Sequence, residues 1–191
     1  MDYKNLFKRI LLLLTKPIQA WKEIKSEGKQ EVLTSFVYPL LAISSLSVFL
    51  GRLFSSDAEK AYGVFQDALT YCCTIIIALF GGVYLSCFIV EKILSNAFSI
   101  EVDRTISLKL IGYSFVLIFL QTIIVGVLPE LRLIAYMMQF YAVYILWEGI
   151  PLYIKHKEEL RLKITLIFFF SIFFAPMLIQ LVFGKLMNFM N

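Results

Sequence analysis

The stretch that decides the fold is ALTYCCTIIIALFGGVYLSCFIV, residues 68–90, which holds 23 residues and no charged side chain. About 20 consecutive apolar residues are needed for an α-helix to cross the ~30 Å hydrocarbon core of a membrane. The strands of a membrane β-barrel are about half as long and alternate polar with apolar residues, a pattern that this stretch lacks. The sequence therefore predicts a transmembrane helix here.

Four further stretches are of the same kind, and the one that ends at residue 154 is interrupted only by Glu148. They cover residues 32–50, 110–129, 133–154 and 164–184. Hydrophobic residues make up 60% of the 191 residues, against roughly 45–50% in soluble domains. We predict an all-α membrane protein with a bundle of five transmembrane helices at residues 31–191. This composition excludes a soluble enzyme, a secreted disulfide scaffold and a disordered chain.

Lysine and arginine are distributed unequally between the two sides of the predicted bundle. Fourteen lie before the first span or in the loops after the second and fourth spans, and four lie on the other side. Because cytoplasmic segments carry the excess of basic residues, we expect a cytoplasmic N-terminus and an extracytoplasmic C-terminus. The net charge of +4 then reflects topology, and no basic patch indicates binding of nucleic acid.

The N-terminal segment, residues 1–30, is amphipathic. At 100° per residue, one face of a helix over residues 3–14 carries apolar side chains, and Asn5, Lys8 and Arg9 lie opposite. The uncharged core at residues 10–15 is too short for a secretory signal peptide. We predict an interfacial helix on the cytoplasmic membrane surface, followed by a short helix whose Trp21 lies at the level of the lipid headgroups. The alternative is that both helices pack on the cytoplasmic end of the bundle.

Small residues recur every four positions along the second span, at Thr74, Ala78, Gly82 and Ser86. Small side chains let transmembrane helices approach closely. We interpret this row as a helix contact within the bundle, with a dimer contact as the alternative.

The fourth span carries a polar stripe. Tyr141, Tyr144, Glu148 and Lys155 share one helical face. An ionisable residue within a membrane is a candidate functional group, and we expect Lys155 or a lysine of a neighbouring helix to pair with Glu148. The alternative is a buried carboxylate that fixes helix packing.

Gly149 and Pro151 follow Glu148 along the same span. Because proline has no N–H and clashes with the preceding turn, we expect these two residues to break or kink the helix and to free backbone carbonyls.

The sequence contains no zinc-binding His-Glu-x-x-His, phosphate-binding glycine loop or Gly-x-Ser-x-Gly motif. The three cysteines all lie in the second span, and we interpret them as packing residues. We expect no catalytic residue, no metal and no cofactor, and we expect that the protein is not an enzyme.

Three groups of residues carry a family resemblance. They are Pro17, Ala20, Trp21 and Ile24; Gly112-Tyr113-Ser114; and YAVYILWEGIPLYIK from residue 141 to residue 155, which includes Trp147. With its five predicted spans, the chain resembles the Yip family of Ypt/Rab-GTPase-interacting membrane proteins, in its prokaryotic branch.

The resemblance implies a non-enzymatic adaptor or membrane-organising scaffold of the inner (cytoplasmic) cell membrane, with membrane lipids and membrane or cytosolic proteins as partners. A small transporter, channel or lipid-moving protein that uses the polar stripe is the alternative. The acidic leucine-glycine-proline motif and the long soluble N-terminal region of eukaryotic members are absent from this sequence, which argues against a Rab-type GTPase as a partner.

Overall fold

The computed structural model describes residues 3–54 and 61–190, with the side chains of all of these except 61, 62 and 186–190. Within those ranges every regular element is helical. The α-helices are α1 (Tyr3–Thr15), α2 (Pro17–Glu23), α3 (Lys29–Val32), α4 (Tyr38–Phe54), α5 (Ala61–Phe98), α6 (Arg104–Ser114), α7 (Val116–Val127), α8 (Arg132–Met138), α9 (Tyr141–Tyr153) and α10 (Glu158–Met190).

Five helical stretches are long and apolar enough to cross a membrane, which confirms the predicted all-α class and the number of spans. They are Lys29–Phe54, Gly63–Phe98, Arg104–Val127, Pro129–Tyr153 and Glu158–Lys185. Each begins before or extends beyond the uncharged stretch that predicted it, because helices continue into the polar flanks where lysines and acids reach water. The first span starts at Lys29, so the N-terminal segment and the bundle join directly.

The first and fourth spans contain irregular turns. In the first span, Leu33–Val37 forms a π-helical turn just before Pro39, where the missing proline N–H disturbs the regular hydrogen-bond ladder. In the fourth span, the N–H groups of Gln139 and Phe140 donate to carbonyls three residues back, each at 3.2 Å. The fourth span is therefore interrupted between α8 and α9.

Of the break or kink expected at Gly149 and Pro151, the break is wrong, because α9 runs through both residues to Tyr153. The expected loss of a helical hydrogen bond does occur. Pro151 leaves the carbonyl of Trp147, four residues back, without its helical donor. The Nη2 of Arg161, at the start of α10, donates to that carbonyl at 2.9 Å. Its guanidinium carbon also lies 4.2 Å from the centroid of the Trp147 ring. The fifth span thus supplies the missing hydrogen bond, which lets the helix continue.

The row of small residues on α5 lies largely against α10. A Cβ added to Gly82 would lie 2.8 Å from Cγ of Pro176, and the hydroxyl of Ser86 donates to the carbonyl of Ser171 at 2.9 Å. Ala78 is fully buried, whereas the hydroxyl of Thr74 bonds within its own helix. Gly82 and Ser86 therefore contact the fifth span within one chain.

At one end of the bundle, which we call the outer end, α4 and α7 approach very closely. A Cβ on Gly51 would overlap the carbonyl oxygen of Gly126, and the Ser47 hydroxyl donates to the carbonyl of Ile123 at 2.9 Å. Beside this contact, the exposed Arg52 forms a 2.7 Å ion pair with Asp67 of α5.

The opposite end, which we call the arm end, carries the loops between α5 and α6 and between α9 and α10. In the arm, residues 3–28, helix α2 packs there against α9, and side chains of α6 bond to the segments on either side of α2. Leu6, Ile10 and Leu13 of α1 are buried in the same core as the spans. One face of α1 and helix α2 thus pack on the bundle, which was the alternative to a position on the membrane surface.

Candidate functional site

The contact between the arm and the bundle, which we call the arm junction, is built around Trp21. This indole is fully buried, and its Nε1–H donates to the carbonyl of Ile145 on α9 at 2.8 Å. A Cβ on Gly149 would lie 2.5 Å from Cε2 of Trp21, so the absence of a side chain at Gly149 opens the slot for the ring. The prediction that Trp21 faces the lipid headgroups is wrong, since the tertiary slot gives the indole N–H a better-shielded acceptor.

Two tyrosines of α9 hold the backbone of the arm. The hydroxyl of Tyr141 donates to the carbonyl of Leu14 at 2.8 Å, and the hydroxyl of Tyr153 donates to the carbonyl of Trp21 at 2.9 Å. The Tyr153 ring also contacts the Trp21 ring edge-on, with centroids 5.8 Å apart. The last turn of α1 and helix α2 are therefore both fixed to α9.

A charged network joins the arm to α6. The Nη2 of Arg9 lies 2.6 Å from Oε1 of Glu27, a carboxylate whose side chain is only 6% exposed. The hydroxyl of Tyr113 donates to Oε2 of Glu27, and Nη1 of Arg9 donates to the Tyr113 oxygen at 3.1 Å and to Ser35 Oγ at 3.2 Å. Both carboxylate oxygens thus have partners, as a buried charge requires.

Lys109 of α6 is a buried cation at the same junction, only 6% exposed. Its Nζ donates to the carbonyl of Lys25 at 2.7 Å and lies 5.7 Å from the centroid of the Tyr153 ring. A carbonyl dipole and an aromatic face therefore replace the carboxylate that usually accompanies a buried lysine. The contact ties the end of the arm to the third span.

A cavity of about 170 Å³ lies between α1 and the following segment of the arm. The Arg9, Glu27 and Tyr113 network lines it together with Lys8 and Glu23, which are exposed. Within the part of the chain that the structure describes, no cluster of three or more His, Cys, Asp or Glu side chains could hold a metal ion. Arg9, Glu27 and Tyr113 bond to one another at the wall of this cavity.

Of the four residues in the predicted polar stripe, only Tyr141 and Tyr144 contact each other, with ring centroids 5.4 Å apart. Tyr141 belongs to the arm junction, whereas Tyr144 is 45% exposed. Glu148 is half-buried and has no hydrogen-bonding or ionic partner among the residues with described side chains. Lys155 is exposed beyond the last residue of α9. The expected ion pair between Glu148 and Lys155 is wrong, because the helical face that they would share ends at Tyr153.

Sequence reasoning missed Arg9, Glu27 and Lys109 as members of the site. Arg9 is the only arginine among the seven basic residues of the first 30, and arginine is the cation best suited to shielded, many-donor pairs. That choice was a usable signal. Glu27 gave none, since an acid beside a glycine is common on exposed turns.

The three groups of residues that carry the family resemblance meet at the arm junction. Trp21 comes from the first group and Tyr113 from the second, and their rings lie 6.1 Å apart at centroids. Gly112 of the second group packs against Val32 and Val37 of the first span. The third group supplies Tyr141, Gly149 and Tyr153, while Trp147 contacts Arg161 of the fifth span.

The comparisons with known proteins agree with this convergence. The family model of the Yip1 domain matches residues 11–183. No curated protein and no solved structure matches the chain. The family match covers all three groups, the first four spans and the fifth span up to residue 183, without distinguishing branches within the family. The chain therefore belongs to the Yip1 domain family of membrane proteins.

Proposed function

We propose that this protein is a non-enzymatic scaffold of the Yip type, which recruits partners or organises lipids through its docked arm. The observation that carries the proposal is the arm junction, where residues from all three family groups hold one segment in one pose. Several buried hydrogen bonds fix the orientation of the arm, as is needed if its outer face is to bind other molecules.

The outer face of the docked arm is apolar and unoccupied by the bundle. Tyr3, Phe7 and Leu11 recur every four residues on α1 and are 64%, 62% and 45% exposed. Lys4 and Lys8 lie beside them and are exposed. An apolar strip flanked by lysines suits the boundary between acyl chains and anionic headgroups, and suits a membrane-bound partner at the same level.

A cytoplasmic location of this face follows from the distribution of basic residues. The arm and the lysine-bearing loops after the second and fourth spans lie at the same end of the bundle, and short basic segments stay on the cytoplasmic side. We infer a protein of the cytoplasmic membrane with its N-terminus inside and its C-terminus outside. A reporter fused after Asn191 should be active only if it works outside the cytoplasm. Activity of a cytoplasmic reporter there would contradict this orientation.

The scaffold is preferred over a transporter, channel or lipid-moving protein because of the state of the polar stripe. A transport path along α9 needs Glu148 and its neighbours to line a continuous cavity. Glu148 does not line the 170 Å³ cavity at the arm, and Lys155 lies past the end of the helix. No partner of Rab type is proposed.

The test separates the outer face of the arm from Glu148. One variant of the full chain carries Tyr3→Gln, Phe7→Gln and Leu11→Gln, which leaves the buried Leu6, Ile10 and Leu13 in place. The matched variant is Glu148→Gln. Both are isolated gently from membranes, and the accompanying proteins and lipids are identified by mass spectrometry.

We expect the triple variant to lose species that the unmodified chain retains, and Glu148→Gln to keep them. Retention of every species by the triple variant would contradict the scaffold. Loss with Glu148→Gln alone would favour the transport alternative.

A further inference from the structure

A groove of about 340 Å³ runs between α2 and α9, on a different side of the arm from the Arg9 cavity. Its lining contains two lysines and no acid. The residues that line it are Thr15, Lys16, Pro17, Ile18, Gln19, Lys22 and Tyr144. None of these residues lines the cavity that contains Glu27. The groove is therefore a separate, positively charged site.

The two lysines have no counter-charge. The ammonium groups of Lys16 and Lys22 have neither a hydrogen bond nor an ion pair with any residue whose side chain is described. Glu23, the neighbour of Lys22, accepts a hydrogen bond from Gln19 at 3.2 Å and lines the other cavity. Two uncompensated cations favour an anion with several acceptor oxygens.

The position of the groove favours an anion that is attached to acyl chains. Tyr144 lies at the edge of the groove. Exposed apolar side chains precede it on the fourth span, namely Phe140, Met137 and Leu133, which are 59%, 56% and 73% exposed. Leu133 and Met137 lie four residues apart on α8, and Phe140 and Tyr144 lie four residues apart at the start of α9. Each pair therefore shares one face of its own helix. Ile18, at 45% exposure, lies on the α2 side of the groove.

We propose that this groove binds the headgroup phosphate of an anionic phospholipid. Lys16 and Lys22 contact the phosphate, and an acyl chain lies along the exposed side chains from Tyr144 to Leu133. The inference rests on the proposed scaffold, for which it names a lipid class and a site. Tyr141 supports the groove from behind, because its hydrogen bond to Leu14 holds the turn between α1 and α2.

The experiment uses the full chain purified in a mild nonionic detergent and three probes. The probes are dioctanoyl phosphatidylglycerol, dioctanoyl phosphatidylcholine and glycerol 3-phosphate, each titrated and followed by native mass spectrometry. The test variant is Lys16→Gln with Lys22→Gln. The matched control is Lys25→Gln with Lys29→Gln, which removes the same charge from two exposed lysines outside the groove.

We expect the unmodified chain to bind the phosphatidylglycerol probe at least tenfold more tightly than the phosphatidylcholine probe. The Lys16 and Lys22 variant should weaken this binding by roughly ten- to thirtyfold, from about 1 kcal/mol for each basic residue. The matched control should stay within about twofold. Glycerol 3-phosphate should bind far more weakly than either lipid, because it has no acyl chain.

Two results would overturn the proposal. Equal weakening by both lysine pairs would show diffuse attraction to the whole arm. Equal binding of glycerol 3-phosphate and phosphatidylglycerol would show a site for a soluble phosphate. Since the titrations use the isolated chain, loss of lipid binding with retention of copurifying proteins would leave the scaffold intact, and the reverse would leave the groove intact.

Discussion

The two ends of the bundle are held together in different ways. At the arm end, side chains reach across long sequence separations to backbone acceptors, as when Trp21 donates to Ile145. At the outer end, the backbones of α4 and α7 are in direct contact at Gly51 and Gly126. The arm end thus relies on directed polar contacts, and the outer end relies on close backbone packing.

The two kinds of contact suit different tasks. The arm end holds a separate segment, the arm, in place, whereas the outer end holds two spans together. Directed hydrogen bonds fix one pose of the arm and leave its outer face free, whereas close packing fixes only the distance between two helices. Four substitutions test the comparison, in decreasing order of expected effect.

Trp21→Ala should have the largest effect. Removing a fully buried tryptophan costs about 3–5 kcal/mol, and here it also leaves the slot at Gly149 empty. We expect the arm to detach while the five spans stay assembled. Proteolysis of the detergent-solubilised chain should cut within the first 30 residues of the variant and spare the unmodified chain. Phe7→Ala, at a 62% exposed position, is the control and should resist cleavage. Equal protection of both variants would contradict the role of Trp21.

Glu27→Gln should destabilise the junction by about 2–3 kcal/mol. Breaking a buried ion pair leaves the remaining charge unpaired and costs about 3–5 kcal/mol, and the 27% exposure of Arg9 reduces that figure. Thermal unfolding in detergent measures the effect, with the exposed Glu31→Gln as the control. A double-mutant cycle with Arg9→Gln should give strong coupling. Additive effects would mean that the two groups do not act together.

Gly51→Ala tests the outer end and should cost about 1–3 kcal/mol, because the added methyl group forces α4 and α7 apart. The expected change is a lower melting temperature without new proteolysis in the arm. Gly63→Ala is the matched control, since a Cβ there meets no atom within 4 Å. Release of the arm by Gly51→Ala would show that the two ends are not independent.

Asp103 gives the smallest expected effect, and it depends on pH. The side chain caps α6. It accepts hydrogen bonds from the side chain of Thr105 and from its backbone N–H, the latter at 2.8 Å, and these bonds lower the pKa of Asp103 below its ordinary value. Because the folded pKa is depressed, the stabilisation is present above the unfolded pKa, about 3.9, and is lost as the pH falls through the folded pKa.

Asp103→Ala should therefore cost about 1 kcal/mol at neutral pH, and the difference from the unmodified chain should shrink in acid. Asp103→Asn, which keeps a capping oxygen, should remain close to the unmodified chain at neutral pH. Melting temperatures between pH 7 and pH 3 would measure both. A difference for Asp103→Ala that stays constant into acid would argue against the carboxylate as the cap.

The five spans could be predicted from the sequence because each span is a long apolar stretch that can be recognised without knowing the rest of the fold. The arm junction could be predicted only in part. Trp21 and Tyr113 were visible as parts of family motifs. The slot that holds Trp21 was not, because Ile145 and Gly149, which form it, lie 124 or more positions further along the chain. The contact between Gly51 and Gly126 could not be found, because a single glycine carries no signal until its partner helix is placed. Glu148 drew attention as a lone acid, while the paired acid Glu27 lay outside the apolar stretches.

The hydrogen bond between Trp21 and Ile145 has a consequence for biosynthesis. The arm emerges from the ribosome first, but its slot on α9 exists only after 124 further residues have followed. At about 5–20 residues per second, the wait is roughly 6–25 s. During that interval Ser35, Lys109 and Tyr113 can already bind the arm, but α2 lacks its partner helix α9. Seating of the indole is thus among the last steps of assembly, and it marks a nascent chain whose fourth span has been inserted.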